Sequence, residues 1–357
     1  MTNLRVANRA FGLRLDAHCT LSELGDLAMA RDTLTPLSYF LQLEREQMGI
    51  LDGKVAIVTG AGNGVGRGEA IMLADHGAKV VVNDLGGSVT GEGADKSAAE
   101  TVVDVIKGRG GEAVANYDDV SDHAAAKNII DTAIEAFGRL DVLVNNAGIL
   151  RDKMIFSMAE ADFDAVIAVH LKGTWNTMHH ASAYWRNESK EGRQPRASIV
   201  NTVSSAGLQG QAGQSNYGAA KAGIAAMTII ASLELGRYGV RANCIGPGGF
   251  TRMVGQAMKV ELKNPEEYTE FNAMNPGNSA SGVVYLASDL AGHVTGQVLR
   301  VVGNNLCVYR PWEMGEQFLA TDKEGAPKQW DPVDIGRILN RYHFQSENPG
   351  IDAQRRG

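Results

Sequence analysis

Short apolar runs rich in β-branched residues alternate seven times with longer amphipathic stretches along the middle of the chain. The runs Val55–Val58 and Val80–Val82 are apolar at every position, which is typical of strands buried on both faces of a sheet. Strands that alternate with helices in this way form parallel sheets. The sequence therefore predicts one doubly wound α/β domain, in which a parallel seven-stranded sheet has helices on both faces.

The predicted domain spans 51–305, between an N-terminal extension at 1–50 that is predicted to be partly helical and a C-terminal extension at 306–357. The predicted strands are Lys54–Thr59, Lys79–Asn83, Ala113–Ala115, Leu140–Val144, Ser198–Val203, Val240–Ile245 and Val298–Val302. The predicted helices are 65–76, 94–107, 122–137, 159–186, 215–237 and 278–288. The large aromatic residues Trp312, Phe318 and Trp330 predict that the C-terminal extension packs onto a sheet edge, a partner subunit or a substrate pocket.

The composition is that of a folded protein in a reducing compartment. The 357 residues are 44% hydrophobic and carry a net charge of −7, which excludes a disordered chain. The basic residues are scattered, so we expect no nucleic-acid partner. Cys19, Cys244 and Cys307 form no C-x-x-C pair, which argues against a disulfide or metal framework.

No apolar run approaches the roughly 18 residues that cross a bilayer, so we expect no membrane partner. The first residues are basic but contain no apolar signal core. The sequence therefore predicts a cytoplasmic protein.

A glycine-rich segment, Thr59-Gly60-Ala61-Gly62-Asn63-Gly64-Val65-Gly66, joins the first predicted strand to the first predicted helix. In this context glycines let the backbone approach a pyrophosphate at a helix N-terminus, whereas the alternative is a plain turn between strand and helix. We predict a dinucleotide-binding turn. Its cofactor contacts are expected from Gly60, Asn63, Gly64, Val65 and Gly66.

Asp84 ends the second predicted strand, roughly 20 residues after the glycine turn, where a carboxylate accepts hydrogen bonds from the adenosine ribose. The carboxylate would repel the 2′-phosphate of NADP. Neither Asn63 nor Leu85 supplies the basic side chain that NADP requires. The sequence therefore predicts NAD as the cofactor.

Tyr217 and Lys221 lie at i and i+4 of a predicted helix, so that the phenol and the ammonium group share one face. A nearby cation favours phenolate over phenol and lowers the pKa of a tyrosine. Such a pair alone is typical of a helix surface. Ser204, however, ends the fifth predicted strand, and parallel sheets bind ligands at that edge. We predict that these three residues are catalytic.

Together these motifs resemble the short-chain dehydrogenase/reductase family. The glycine turn, Asn145-Asn146-Ala147-Gly148, Ser204, the Tyr217–Lys221 pair and Pro247-Gly248 occur in family order over about 51–305. The stretches at 81–87, 110–118 and 146–152 resemble the (3R)-hydroxyacyl-CoA and 17β-hydroxysteroid dehydrogenase domain of peroxisomal multifunctional enzymes of type 2. The resemblance implies a Rossmann fold and hydride transfer between NAD and a secondary alcohol or ketone.

The resemblance also implies a role for individual residues. Tyr217 would be the general acid/base, Lys221 would hold the nicotinamide ribose, and Ser204 would position the substrate oxygen. Tyr217 and Lys221 would therefore also contact the cofactor. Further cofactor contacts are implied for Asp119 and Val120 beside adenine, for Asn146 and Gly148 beside adenosine, and for Pro247, Gly248 and Thr251 beside the nicotinamide.

His170 stands where most family members have Asn, within Val169-His170-Leu171-Lys172-Gly173. The resemblance to the multifunctional enzymes implies that it relays a proton, and a packing role is the alternative. His179 and His180 are predicted to be structural, because adjacent helix residues point apart and cannot share a metal ion. No metal is predicted.

The implied substrate is a small molecule, either a 3-hydroxyacyl-CoA or a steroid-type alcohol. The alternatives are a small alcohol or an acyl-carrier thioester, or a non-catalytic NAD-binding scaffold. We also expect a homodimer or homotetramer built on the predicted helices at 159–186 and 215–237. The apolar residues that predict this contact are Trp175, Met178, Ile224, Met227 and Ile230.

Overall fold

Eight strands form one sheet, in the order β3-β2-β1-β4-β5-β6-β7-β8. A computed structural model describes residues 49–93, 95–249, 263–310, 317–321, 323, 326–327 and 329–342. The strands are β1 Val55–Thr59, β2 Lys79–Asn83, β3 Ala113–Asn116, β4 Val142–Asn145, β5 Ala197–Thr202, β6 Val240–Pro247, β7 Val298–Val302 and β8 Asn305–Tyr309. Strands β1 to β7 are parallel, and the strand order reverses direction between β1 and β4.

Helices cover both faces of this sheet, as the sequence predicts. The described helices are α1 Gly64–Asp75, α2 Ser97–Gly108, α3 His123–Phe137, α4 Glu160–Ile167, α5 Gly173–Lys190, α6 Ser205–Leu208, α7 Ser215–Leu235, α8 Ala280–Ala287 and α9 Pro332–Tyr342. Helices α1, α2 and α8 pack together on one face, while α3, α5 and α7 contact the strands from the other. The described residues from Leu51 onward belong to one compact unit.

The central strands are buried on both faces, which confirms the interpretation of the continuous apolar runs. Every residue of β1, β4 and β5 is buried. Each strand thus contributes side chains to the helix layers above and below it, as parallel sheets require. The hydrophobic effect therefore fixes the register of the strands, and the register fixes where their carboxyl ends lie.

The prediction of a purely parallel seven-stranded sheet is wrong in one respect. An eighth strand, β8, pairs antiparallel with β7, from Val302 opposite Asn305 to Val298 opposite Tyr309. Gly303 and Asn304 form the two-residue connection, and Gly303 has φ of 56°, a conformation that glycine adopts without steric cost. The Gly-Asn pair between two apolar runs was the sequence feature that could have predicted this hairpin.

A buried network of polar side chains ties the sheet to the helices. The Asn145 amide donates to the Oδ1 atom of Asn201 at 2.9 Å, and the Asn201 amide donates to the Oγ1 atom of Thr228 at 2.8 Å. Thr177 donates to the Oδ1 atom of Asn145 at 2.6 Å. Because buried polar groups are costly unless they are paired, this network fixes α5 and α7 relative to β4 and β5.

The stretch predicted as one helix at 159–186 consists of α4, a single π-helical turn at Ala168–Lys172, and α5. The wider π turn shifts the side chains that follow it relative to an unbroken α-helix. His170 lies on this turn and is only 2% exposed. The irregular turn, which the apolar periodicity does not reveal, thus directs His170 inward.

Helix α7 is more apolar than the sequence interpretation allowed. With the turn that follows it, Ser215–Tyr238 has the length and the apolar composition of a helix that could cross a membrane. The helix is apolar on two faces. Ile224 packs into the core at 1% exposure, whereas Ile230 and Leu233 are 53% and 80% exposed.

Several predictions fall on residues that the structure does not describe. Of the predicted N-terminal extension, only Gly49 and Ile50 are described, and Thr251 and Trp312 lie outside the described residues. The eighth strand crosses the predicted domain boundary at residue 305. Phe318 and Trp330 are half-buried in the part of the C-terminal extension that is described.

Candidate active site

The glycine turn between β1 and α1 brings the backbone close to the chain that follows β4. Gly60 has φ of 63°, and a Cβ atom there would lie 2.7 Å from the Cα atom of Ala147. Only glycine fits both the conformation and the space. Helix α1 begins at Gly64, so its unpaired N–H groups face the cavity at this end of the sheet, where they favour an anion.

Asp84 ends β2 beside this turn and is held by two backbone groups. Its Oδ2 atom accepts a hydrogen bond from the Gly62 N–H at 2.7 Å, and its Oδ1 atom accepts one from the Gly86 N–H at 2.7 Å. The carboxylate is 8% exposed. Because carboxylate oxygens have further lone pairs, both remain able to accept hydrogen bonds from ribose hydroxyls.

A cavity of about 330 Å³ opens at the carboxyl ends of the strands. It brings together most of the predicted site residues, which are Gly60, Asn63, Gly64, Val65, Asn146, Gly148, His170, Ser204, Tyr217, Lys221, Pro247 and Gly248. The sequence interpretation missed Val89, Leu150, Thr202, Gln214 and Gly249. These residues belong to loops and strand ends without a recognisable motif, and only the fold brings them to the cavity.

Other predicted cofactor residues lie near the cavity without lining it. Gly66 is packed against Asn146, because a Cβ atom there would lie 2.4 Å from the Nδ2 atom. Val120 is 7% exposed, and its carbonyl accepts a hydrogen bond from the Asn176 amide at 2.8 Å. Asp119 accepts one from the Ser121 N–H at 2.8 Å. Asp84 also lies outside the cavity lining.

The three predicted catalytic side chains converge. The Lys221 Nζ atom donates to the carbonyl of Thr202 at 2.7 Å and lies 5.6 Å from the centre of the Tyr217 ring. The Ser204 side chain lies close enough to the Tyr217 phenol to lower its pKa. Ser204 lies between β5 and α6, and its Oγ atom also accepts a hydrogen bond from the Ala206 N–H at 3.2 Å. Two hydroxyls and one ammonium group thus face the same space.

Burial governs the ionisation of Tyr217. Burial raises the pKa of Tyr217, the hydrogen bond from Ser204 lowers it, and the charge of Asp152 raises it further. The sequence predicts a lowered pKa from the neighbouring Lys221. The structure gives the opposite direction for the protein alone, because the surrounding protein replaces the water that would stabilise a phenolate.

Lys221 itself is 2% exposed, and burial lowers its pKa to about 8. The charge of Glu69, a residue that the sequence interpretation missed, raises it. Glu69 is fully buried on α1, neither of its oxygens has a hydrogen-bond partner among the described residues, and burial raises its pKa to about 8. The sequence feature that could have identified Glu69 is an acidic residue on the inward face of α1.

One ring nitrogen of His170 contacts both the N–H and the carbonyl group of Ile149. Its Nε2 atom lies 3.0 Å from the N–H and 2.8 Å from the carbonyl oxygen of Ile149. Burial lowers its pKa to about 3, so that the ring is neutral. Its edge meets the Tyr217 ring, with ring centres 5.0 Å apart. The Nδ1 atom is buried and has no partner in the described part of the chain.

The rings of His179 and His180 do not point apart as the sequence predicts. Their centres are 5.0 Å apart, and His123 at the start of α3 lies beside both. The adjacent residues converge because α5 packs against α3, which draws both rings toward the same neighbour. None of the three lines the cavity.

Comparison with known proteins identifies the same family as these motifs. The short chain dehydrogenase family model matches residues 54–262. A short chain dehydrogenase structure from Mycobacterium avium has a TM-score of 0.72 and 48% identity, with 84% of this chain and 97% of that chain covered.

Two curated relatives carry names that describe a reaction. The chain is 42% identical to the hydroxyacyl-CoA dehydrogenase ChsB1 of Mycobacterium tuberculosis, over 84% of this chain and 91% of that protein. It is 44% identical to the peroxisomal multifunctional enzyme type 2 of Drosophila melanogaster, over 67% of this chain but only 37% of that protein. The chain belongs to the short-chain dehydrogenase/reductase family, whose members generally bind NAD(P), and is an oxidoreductase that acts on CH–OH groups.

Proposed function

We propose that this protein is an NAD-dependent dehydrogenase that interconverts a secondary alcohol and a ketone, with a 3-hydroxyacyl-CoA as its substrate. The observation that carries the proposal is the convergence of Ser204, Tyr217 and Lys221 on the cavity beside the glycine turn. The name of the Mycobacterium tuberculosis relative supports the substrate class. A steroid-type alcohol is the second candidate substrate.

The residues present fit a dinucleotide. At Gly60 a Cβ atom would collide with the backbone of Ala147, so the turn keeps its surface free of side chains. Asp84 stands where the adenosine ribose would lie, and its charge favours NAD over NADP. The Thr202 Oγ1 and His170 Nδ1 atoms are buried without partners among the described residues. These two atoms would be satisfied by polar groups of a ligand or by water.

When bound, the cofactor supplies a nicotinamide ring that accepts hydride from the substrate carbon. Ser204 would donate a hydrogen bond to the substrate oxygen and hold it beside Tyr217. As the hydride leaves, Tyr217 would take the hydroxyl proton, and in the reverse direction it would return it. Lys221 would contact the ribose, and its positive charge would oppose the effect of burial on the pKa of Tyr217.

His170 would support this proton transfer from the cavity wall. Its Nε2 atom is held by Ile149, which leaves Nδ1 as the nitrogen that can exchange a hydrogen bond with a water molecule. Burial lowers its pKa to about 3, so the ring stays neutral and would position through Nδ1 the water molecule that passes the Tyr217 proton on, rather than take up the proton itself.

The first prediction tests Tyr217. Tyr217→Phe keeps the ring but removes the proton carrier, so we expect kcat for 3-hydroxyacyl-CoA oxidation to fall by at least about 10²-fold. NAD affinity, measured by cofactor fluorescence, should change little. The matched control is Tyr285→Phe, because Tyr285 lies on α8 outside the cavity lining.

A Tyr217→Phe enzyme that keeps half its rate would rule out this mechanism. The same assay should include a steroid alcohol, an acyl-carrier thioester and a short secondary alcohol. A higher kcat/KM for one of these than for the acyl-CoA would replace the proposed substrate while leaving the mechanism intact. NAD binding without turnover of any substrate would support the scaffold alternative.

The second prediction concerns the choice of cofactor. We expect kcat/KM with NAD to exceed that with NADP by at least about tenfold, or ~1.4 kcal/mol, because Asp84 repels the 2′-phosphate. Asp84→Asn should narrow the difference, since it removes the charge and nearly preserves the shape. Equal kcat/KM values for the two cofactors in the unmodified enzyme would contradict the assignment.

The third prediction separates the relay from the packing role of His170. An asparagine amide can both donate to and accept from Ile149, so His170→Asn should keep much of the activity. His170→Leu should lower kcat about 10²-fold and change the affinity for NAD much less. The unfolding temperature of each variant is the control. Full activity of His170→Leu would leave His170 as a packing residue.

We also propose a homo-oligomer in which α5 and α7 form the subunit contact. Trp175, Ile230 and Leu233 are 47%, 53% and 80% exposed, although Met178 and Ile224 proved to be buried in the subunit core. Burying such apolar residues against a second copy would be favourable. The same surface explains the apolar character of α7.

The fourth prediction follows from this surface. Leu233→Glu should shift the mass measured by light scattering at micromolar concentration from that of an oligomer toward that of one chain. Val333→Glu, at a 60% exposed position on α9, is the control and should leave the mass unchanged. A single-chain mass for the unmodified protein would refute the proposal.

A further inference from the structure

Three histidines from two helices form a cluster outside the cavity. His123 begins α3, and His179 and His180 lie on α5. One ring nitrogen of each lies within 4.8 Å of a ring nitrogen of each of the others. His123 and His179 are exposed, and His180 is half-buried. Two of the three rings are thus exposed on the single chain, next to the proposed subunit contact, and the packing of α3 against α5 holds all three rings close together.

A buried amide fixes the hydrogen position on His123. The Asn176 Nδ2 atom donates to the carbonyl of Val120 at 2.8 Å and to that of Ser121 at 3.3 Å. The amide oxygen therefore faces His123, whose Nδ1 atom lies 3.1 Å away. Because an amide oxygen only accepts, the proton of His123 resides on Nδ1. The Nε2 atom of His123 is left with a free lone pair.

A backbone carbonyl fixes His180 in the same way. Its Nε2 atom donates to the carbonyl oxygen of His123 at 2.9 Å. The lone pair of its ring is therefore on Nδ1. Metal-binding histidines commonly donate their other N–H to such acceptors, which orient the ring and select the tautomer.

Trp175, one turn before His179 on α5, packs on the remaining side. Its indole stacks on His179 with centres 5.1 Å apart and an interplanar angle of 30°. It also stacks on His123 with centres 5.6 Å apart and an angle of 22°. The indole restricts both rings and lies close enough to report on a change at the cluster through its fluorescence.

We propose that His123, His179 and His180 bind a divalent transition metal ion, with Zn²⁺ as the fitting ion, and that the ion links the start of α3 to α5. Zinc prefers imidazole nitrogen and takes three protein ligands with water in the fourth position. With Zn–N bonds of about 2.0–2.1 Å, tetrahedral ligand atoms lie roughly 3.4 Å apart. Closing the cluster from 4.8 Å requires side-chain movements of about 1 Å.

The site is independent of the proposed dehydrogenase reaction. Its three residues do not line the cavity, and no step of the proton transfer uses them. Its role would be structural, because the ion would hold together two helices that otherwise meet through side-chain packing. Metal binding to the folded state alone stabilises that state.

The experiment is a calorimetric titration of the full chain with zinc chloride, in a buffer that does not bind metal ions. A Cys307→Ser background removes an exposed thiol, which is itself a potential ligand. We expect one Zn²⁺ per chain, a change in tryptophan fluorescence on binding, and a higher unfolding temperature with zinc. His179→Gln should weaken binding at least about tenfold and abolish the zinc-dependent rise in unfolding temperature.

The matched control is His293→Gln, because His293 is an exposed histidine outside the cluster. It should bind zinc as tightly as the background protein. The unfolding temperature of His179→Gln without zinc should equal that of the background, which shows that the variant is folded. Equal zinc affinity of His179→Gln and the background protein would overturn the proposal, as would the absence of one-to-one binding. These measurements do not use dehydrogenase activity, so they test the zinc site independently of the proposed function.

Discussion

Asn146 joins the two halves of the sheet at the point on which the active site depends. Its side-chain amide donates to the carbonyl oxygens of Thr59 and Gly60, both at 3.0 Å. The N–H groups of Asn146 and Ala147 donate to the Thr59 hydroxyl at 3.0 and 3.1 Å. These bonds connect the end of β1 to the end of β4, where the strand order changes direction and α/β sheets open a crevice.

The rest of the site follows from that connection. Because the chain after β4 is bonded to the glycine turn, the first turn of α1 faces the same space as Ser204 and Tyr217. The absence of a side chain at Gly60 makes the approach possible, since a Cβ atom would collide with Ala147. The glycine turn therefore serves both the packing of the strands and the proposed binding of a pyrophosphate.

Burial then sets the chemistry of the titratable groups. Lys221, Glu69 and His170 are each at most 2% exposed. Removing water disfavours the charged form of each group, which brings the pKa values of Lys221 and Glu69 to about 8 and keeps His170 neutral. A reaction that moves a proton at neutral pH benefits from groups whose charge changes in that range. The fold tolerates the cost of removing a charged group from water where a hydrogen bond, such as that from Lys221 to Thr202, compensates it.

The sequence by itself determined the parallel sheet, the glycine turn and the Tyr217–Lys221 pair, because apolar periodicity and helix spacing are local properties of the chain. It did not determine β8, the π turn at 168–172 or the convergence of His123 with His179 and His180. It also gave the wrong direction for the pKa of Tyr217. The strand β8 and the π turn are local features that the apolar periodicity does not reveal, whereas the histidine cluster and the pKa of Tyr217 depend on residues distant in the chain that come together only when the helices pack on the sheet. Burial and three-dimensional proximity are properties of that packing, and only the tertiary structure decides them.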